Sequence, residues 1–213
     1  MLDTIPSDLP LITILVFVAL IALSVLTLTV AIFKVMQFRR MGVGRHNQAE
    51  AILDDWLNGR PDEAQRKAGA TRSVLARVMV AVMSGMRARP GDPAYGEELA
   101  RQVALSELVQ MGARMRLLEA VVQMAPMLGL LGTVIGMIDA FGNLALQSQT
   151  ADPSLLASGI WTALTTTAAG LAIALVAYFA AAWLEGRIED ERQTIEIVIS
   201  AAIHGRLGQP GQG

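Results

Sequence analysis

The chain contains no cysteine, so disulfides and thiolate metal sites are excluded. Aromatic residues supply 5% of the 213 positions and charged residues 17%, against 53% hydrophobic. A soluble domain carries about a quarter charged residues and builds its core partly from aromatics. The only two histidines, His46 and His204, fall in polar segments, so no Ser–His pair can be assembled within the apolar runs. The glycines of those runs lack the lysine that a phosphate-binding loop needs, and no His, Asp and Glu spacing suits a metal. Enzyme activity, a metal and any cofactor are therefore not expected. A net charge of −2 makes no case for nucleic acid. The distribution of charge is more informative than its sum.

What the chain has is Ala, Leu, Val, Ile and Met, gathered into three runs. Residues 1–8 are short and acidic, and residues 9–33 are uncharged. At 1.5 Å per residue such a helix reaches about 37 Å, enough for a hydrocarbon core of about 30 Å. A cleaved leader would have basic residues before it, a shorter run and a small-residue cleavage site after it; a retained span is expected. Residues 34–116 are different material, with short amphipathic helices expected over Ala49–Leu57 and Val74–Met86. The Arg89-Pro90-Gly91-Asp92-Pro93 cluster breaks the pattern. One long helix is expected from Ala94 through the second run at 117–141, since only Gly112 interrupts it. Met79, Met83 and Met86 read as core filler, and Trp56 as a packing anchor. A polar loop over 142–158 with a natural helix start at Asp152-Pro153-Ser154, a third span at 159–184, and a charged helix with a disordered Gly/Gln/Pro tail over 185–213 complete the chain. The fold class is thus an all-α membrane protein with three spans and long cytoplasmic helical extensions.

Lys34–Glu119 holds fourteen of the seventeen Lys and Arg residues, and the last segment holds the other three. The N-terminus and the 142–158 loop hold none. That segregation marks the basic side as cytoplasmic, with the N-terminus outside and the C-terminus inside. The cytoplasmic segment also suits anionic lipid headgroups.

The organising stretch is Ala125-Pro126-Met127-Leu128-Gly129-Leu130-Leu131-Gly132-Thr133-Val134-Ile135-Gly136-Met137. On a helix, Ala125, Gly129, Gly132, Gly136 and Ala140 share one face. In water each such glycine costs about 1 kcal/mol against alanine; in a bilayer a small-residue face lets a second helix approach closely. The third span offers a matching stripe in Gly159, Ala163, Thr167, Gly170 and Ala174. The spans keep no ionisable group at depth, only Thr133 in one and Thr162, Thr165, Thr166 and Thr167 in the other, with Asp139 at the outer edge. A lone threonine in a membrane helix usually bonds back to its own backbone. Hydroxyls donate and accept hydrogen bonds but hold no proton at physiological pH. If ions pass here, the titrating group must come from another chain.

At these residues, and at Gly159-Ile160-Trp161-Thr162-Ala163-Leu164-Thr165-Thr166-Thr167-Ala168-Ala169-Gly170-Leu171-Ala172, the sequence resembles the MotA/TolQ/ExbB proton channel family, closest to its ExbB/TolQ branch. The resemblance implies a homopentamer in a bacterial inner membrane. It would enclose an ExbD/TolR-like single-span partner whose helix carries a proton-binding aspartate, and a TonB/TolA-like protein would receive the work. It also implies that Thr133 and Thr167, with Thr162 and Thr166, line the proton pathway. Ala125, Pro126, Gly129, Gly132, Gly136, Gly159 and Gly170 would serve helix packing. One departure stands out: many relatives carry a glutamate where this chain has Thr162. A non-conducting membrane scaffold of the same fold is the alternative reading.

Overall fold

The computed structural model describes residues 11–146 and 153–205. The described residues form seven helices and no strand: α1 (Leu11–Met41), α2 (His46–Leu57), α3 (Pro61–Ala70), α4 (Val74–Ala88), α5 (Pro93–Gly112), α6 (Met115–Leu146) and α7 (Pro153–His204). Three helical stretches, within α1, α6 and α7, are long and apolar enough to cross a membrane. The chain divides into two compact units, Met1–Ile32 with Arg114–Ala182, and Phe33–Ala113 with Trp183–Gly213.

The first unit holds the apolar parts of α1, α6 and α7. Its interior is built largely of small side chains, with Ala125, Ala163 and Ala177 almost wholly buried and Val121 beside them, together with a few larger ones such as Leu20 and Leu118. Most of the large apolar residues point outward: Leu11 is 82% exposed, Trp161 74% and Met127 69%. That is the reverse of a soluble core. It is stable where the surroundings are themselves apolar and close helix contact, rather than release of water, holds the helices together.

The second unit is built in the ordinary way. Ile52, Leu75, Met79, Val82, Met83 and Ile195 are buried. α4 and α5 cross where two glycines meet, and a Cβ on Gly85 would lie 2.5 Å from the Gly96 Cα. Arg77 spans the same pair of helices with a two-pronged bond to Glu107, at 2.5 and 2.6 Å. Ser73 caps α4 by accepting from the Ala76 N–H, as a residue at that position should. Asp55 on α2 is paired with Lys67 on α3 and with Arg60, and the Lys67 ammonium holds its carboxyl below the usual carboxylate range. Trp56 donates its indole N–H to the Ala202 carbonyl at 2.9 Å, which ties α2 to α7.

Two expectations are corrected. The long helix expected from Ala94 is two helices, because α5 stops at Gly112 and Arg114 takes a left-handed backbone (φ +66°) before α6. Lys34, wholly buried, makes that stop possible by donating to the Met111 and Ala113 carbonyls that the helix end leaves open. Helix also enters the 142–158 segment from both ends: α6 continues to Leu146, and α7 begins at Pro153, at the helix start expected in Asp152-Pro153-Ser154, where a proline suits the first helical turn. α7 then runs unbroken past residue 184. The acidic segment 1–8, the middle of the loop and the Gly/Gln/Pro tail lie outside the described residues.

Candidate functional site

The face-to-face packing of α6 on α7 follows from glycine. A Cβ on Gly129 would lie 3.0 Å from the Thr166 carbonyl oxygen and the Thr167 Cα, and one on Gly132 2.6 Å from the Thr166 hydroxyl. The same test puts Gly136 2.9 Å from the Ala163 Cβ, Gly159 2.6 Å from the Ala140 Cβ and Gly170 2.5 Å from the Ala125 carbonyl oxygen. Ala125 is completely buried. Pro126 lies inside α6 and is partly exposed; lacking an N–H, it leaves the Val122 carbonyl without its ladder donor.

The contact face of α7 follows the expected stripe at Gly159, Ala163, Gly170 and Ala174 and departs from it at one position. Thr166, not Thr167, is the residue wholly buried in it, seated against Gly132. Thr166 is therefore an interface residue within the single chain and not an open lining group. Thr167 and Thr133 sit at the edge of the contact, partly exposed.

These three hydroxyls form one network. Thr133 Oγ1 donates toward the Gly129 and Ala163 carbonyls, both at 3.2 Å, and is hydrogen-bonded to Thr167 Oγ1. Thr167 Oγ1 reaches the Gly129 carbonyl at 3.0 Å. Thr166 Oγ1 reaches the Ala163 carbonyl at 2.6 Å and the Gly129 carbonyl at 3.3 Å. Thr162 and Thr165 instead bond back to their own helix, at Ser158 and Trp161. Of the four threonines proposed from the sequence as lining groups, the structure gathers Thr133, Thr166 and Thr167, while Thr162 bonds back to the Ser158 carbonyl. Asp139, on α6, has one carboxylate oxygen buried with no hydrogen-bond partner among the described residues.

The network interrupts an otherwise apolar contact with hydroxyls on both helices. It can offer hydrogen bonds to a charged guest but holds no titrating group of its own.

Sequence reasoning passed over Glu191, which the second unit buries completely. One of its oxygens accepts the Gly44 N–H at 2.9 Å and lies 3.8 Å from His46 Nε2, and the other has no partner among the described residues. Loss of water pushes its pKa above the ordinary 4.5, against the opposing pull of the Gly44 N–H, His46 and Arg187. A raised carboxyl pKa means the folded chain binds this proton more readily than the unfolded one. Stability then falls as pH rises from 4.5 through the raised value. Glu191→Gln should flatten that fall, so thermal midpoints measured from pH 4 upward should converge at the acid end and favour the variant at neutral pH. Equal slopes for the two proteins would contradict the burial assignment.

A search of curated proteins returns no match to the chain. The MotA/TolQ/ExbB proton channel family matches residues 70–197, more than half of the chain, from the end of α3 through the hydroxyl network and into the last turns of α7. With three apolar helices, a glycine-lined contact and threonines from two helices at its edge, the chain belongs to the MotA/TolQ/ExbB proton channel family.

Proposed function

We propose that the chain is the channel-wall subunit of an ExbB/TolQ-type complex in a bacterial inner membrane, with its N-terminus periplasmic and its C-terminus cytoplasmic. Copies of it, five by resemblance, surround the transmembrane helix of an ExbD/TolR-like partner. The partner's aspartate takes up and releases the proton, and a TonB/TolA-like protein passes the work to the envelope. The subunit does no catalytic chemistry. The observation that carries this reading is the Thr133–Thr167 pair: two hydroxyls from two apolar helices, partly exposed, in spans that keep no carboxylate at depth. Such a wall can steady a carboxylate in either protonation state without competing for its proton.

Proton uptake into liposomes holding the chain and an ExbD/TolR-like partner tests it. The double variant Thr133→Val, Thr167→Val keeps the side-chain shapes and removes both hydroxyls. Its flux should fall about tenfold, the worth of two hydrogen bonds at about 0.6–1 kcal/mol each. Full flux in that variant would sink the path. Wild-type flux no higher than that of empty vesicles would favour the scaffold reading, which Thr162 in place of a glutamate supports.

A further inference from the structure

Three hydroxyls compete for two carbonyl oxygens. Gly129 O lies within reach of Thr133, Thr166 and Thr167, and Ala163 O within reach of Thr133 and Thr166. Each carbonyl has two lone pairs, and the helix ladder engages one of them. Two places therefore remain for three donors, and one hydroxyl is always left without a carbonyl. Two kinds of arrangement matter. In one, Thr166 donates to Ala163 O, Thr167 to Gly129 O, and Thr133 to the Thr167 oxygen. In the other, Thr133 and Thr166 fill the two carbonyl places between them, in either pairing, which leaves the Thr167 hydroxyl free to turn outward.

We infer that Thr166 is a positioning residue for the proton path: by filling one of the two carbonyl places while Thr133 fills the other, it releases the Thr167 hydroxyl to a carboxylate from another chain. The wall then offers a donor without stripping its own backbone of one. This rests on the proton-path reading above. Thr166 itself stays out of reach of any guest, wholly buried against Gly132, and acts only through Thr167. Without its hydroxyl, two donors serve two carbonyl places and none is spare.

The test uses the same liposomes, with the chain and an ExbD/TolR-like partner. Thr166→Val keeps the shape that meets Gly132 and removes the donor; proton flux should fall about three- to fivefold. Thr166→Ser keeps the donor and should restore it. Placed on Thr167→Val, the Thr166→Val change should have no further effect, because the residue it serves is gone. Wild-type flux in Thr166→Val, equal losses with and without Thr167, or a serine as poor as valine would each overturn the inference. Should Thr166→Val not assemble, Thr166→Ser and Thr166→Ala carry the same comparison, both having lost the methyl that meets Gly132. If flux is lost in Thr133→Val, Thr167→Val but kept in Thr166→Val, this inference alone fails. Full flux in the double variant removes the path reading and this one with it.

Discussion

Replacing Gly170 by alanine should lower the thermal midpoint of the lipid- or detergent-held protein by about 5–10 °C and abolish proton flux. The added Cβ would lie 2.5 Å from the Ala125 carbonyl oxygen, 3.0 Å from the Gly129 Cα and 3.2 Å from the Gly129 N. All three atoms are backbone, so no side chain can rotate away, and α6 must back off from α7. Overpacking of this kind costs about 2–3 kcal/mol, and each kcal/mol is worth about 2–4 °C in a chain of this size. Function should suffer more than stability. The carbonyl that the three threonines share belongs to Gly129, beside the clash, so a shift of a fraction of an ångström there loosens every bond in the network. Gly186, on the same helix, has nothing within 4 Å of its would-be Cβ. Gly186→Ala should therefore be neutral or stabilising by up to about 1 kcal/mol. Similar midpoints for the two variants would mean that helix propensity, and not the α6–α7 contact, decides what glycine does in α7.

The three spans were legible because crossing a bilayer demands a length and a composition, both countable along the chain. The glycine stripe was legible for a related reason: small residues at steps of three and four have few uses in a soluble protein. The identity of the buried threonine was not. From Ala163, Thr166 is three residues on and Thr167 four, and helix periodicity permits either on the same face. Only the partner helix decides between them, and it does so at Gly132, where Thr166 fits. Glu191 was hidden by its surroundings in the sequence. It lies among charged residues that read as a solvated helix face, and its burial depends on a turn at Gly44, 147 residues away. The break after α5 was hidden in the same way. No proline marks it, and its stabilising partner is 77 residues away.

That partner carries the second large effect: Lys34→Met should destabilise the protein by about 3 kcal/mol and expose the joint between α5 and α6. The Lys34 ammonium has three donors, and acceptors that meet it include the Met111 carbonyl, the Ala113 carbonyl at 3.0 Å and the Gln37 side-chain oxygen at 3.3 Å. Its stem and head lie by the Phe38 ring, with the nitrogen 5.1 Å from the ring centre. A helix end leaves its last carbonyls without ladder donors, and glycine often supplies the turn that lets the backbone repair this. Here the residue in the left-handed conformation is Arg114, which costs about 1–2 kcal/mol in a non-glycine residue. Lys34 offsets that strain by bonding the carbonyls directly. Methionine fills the space but donates nothing, and each buried acceptor left unpaired costs about 1–3 kcal/mol. Arginine should not rescue, because a planar guanidinium does not present three donors from one point. Arg40→Met, six residues on and exposed, should stay within about 0.5 kcal/mol of wild type. Two measurements check this together, the thermal midpoint and the rate of tryptic cleavage after Arg114. Loss of the cap should raise the cleavage rate in Lys34→Met alone. A midpoint and cleavage rate matching those of Arg40→Met would mean that α5 ends at Gly112 without help from α1, and that Lys34 is buried to no structural purpose.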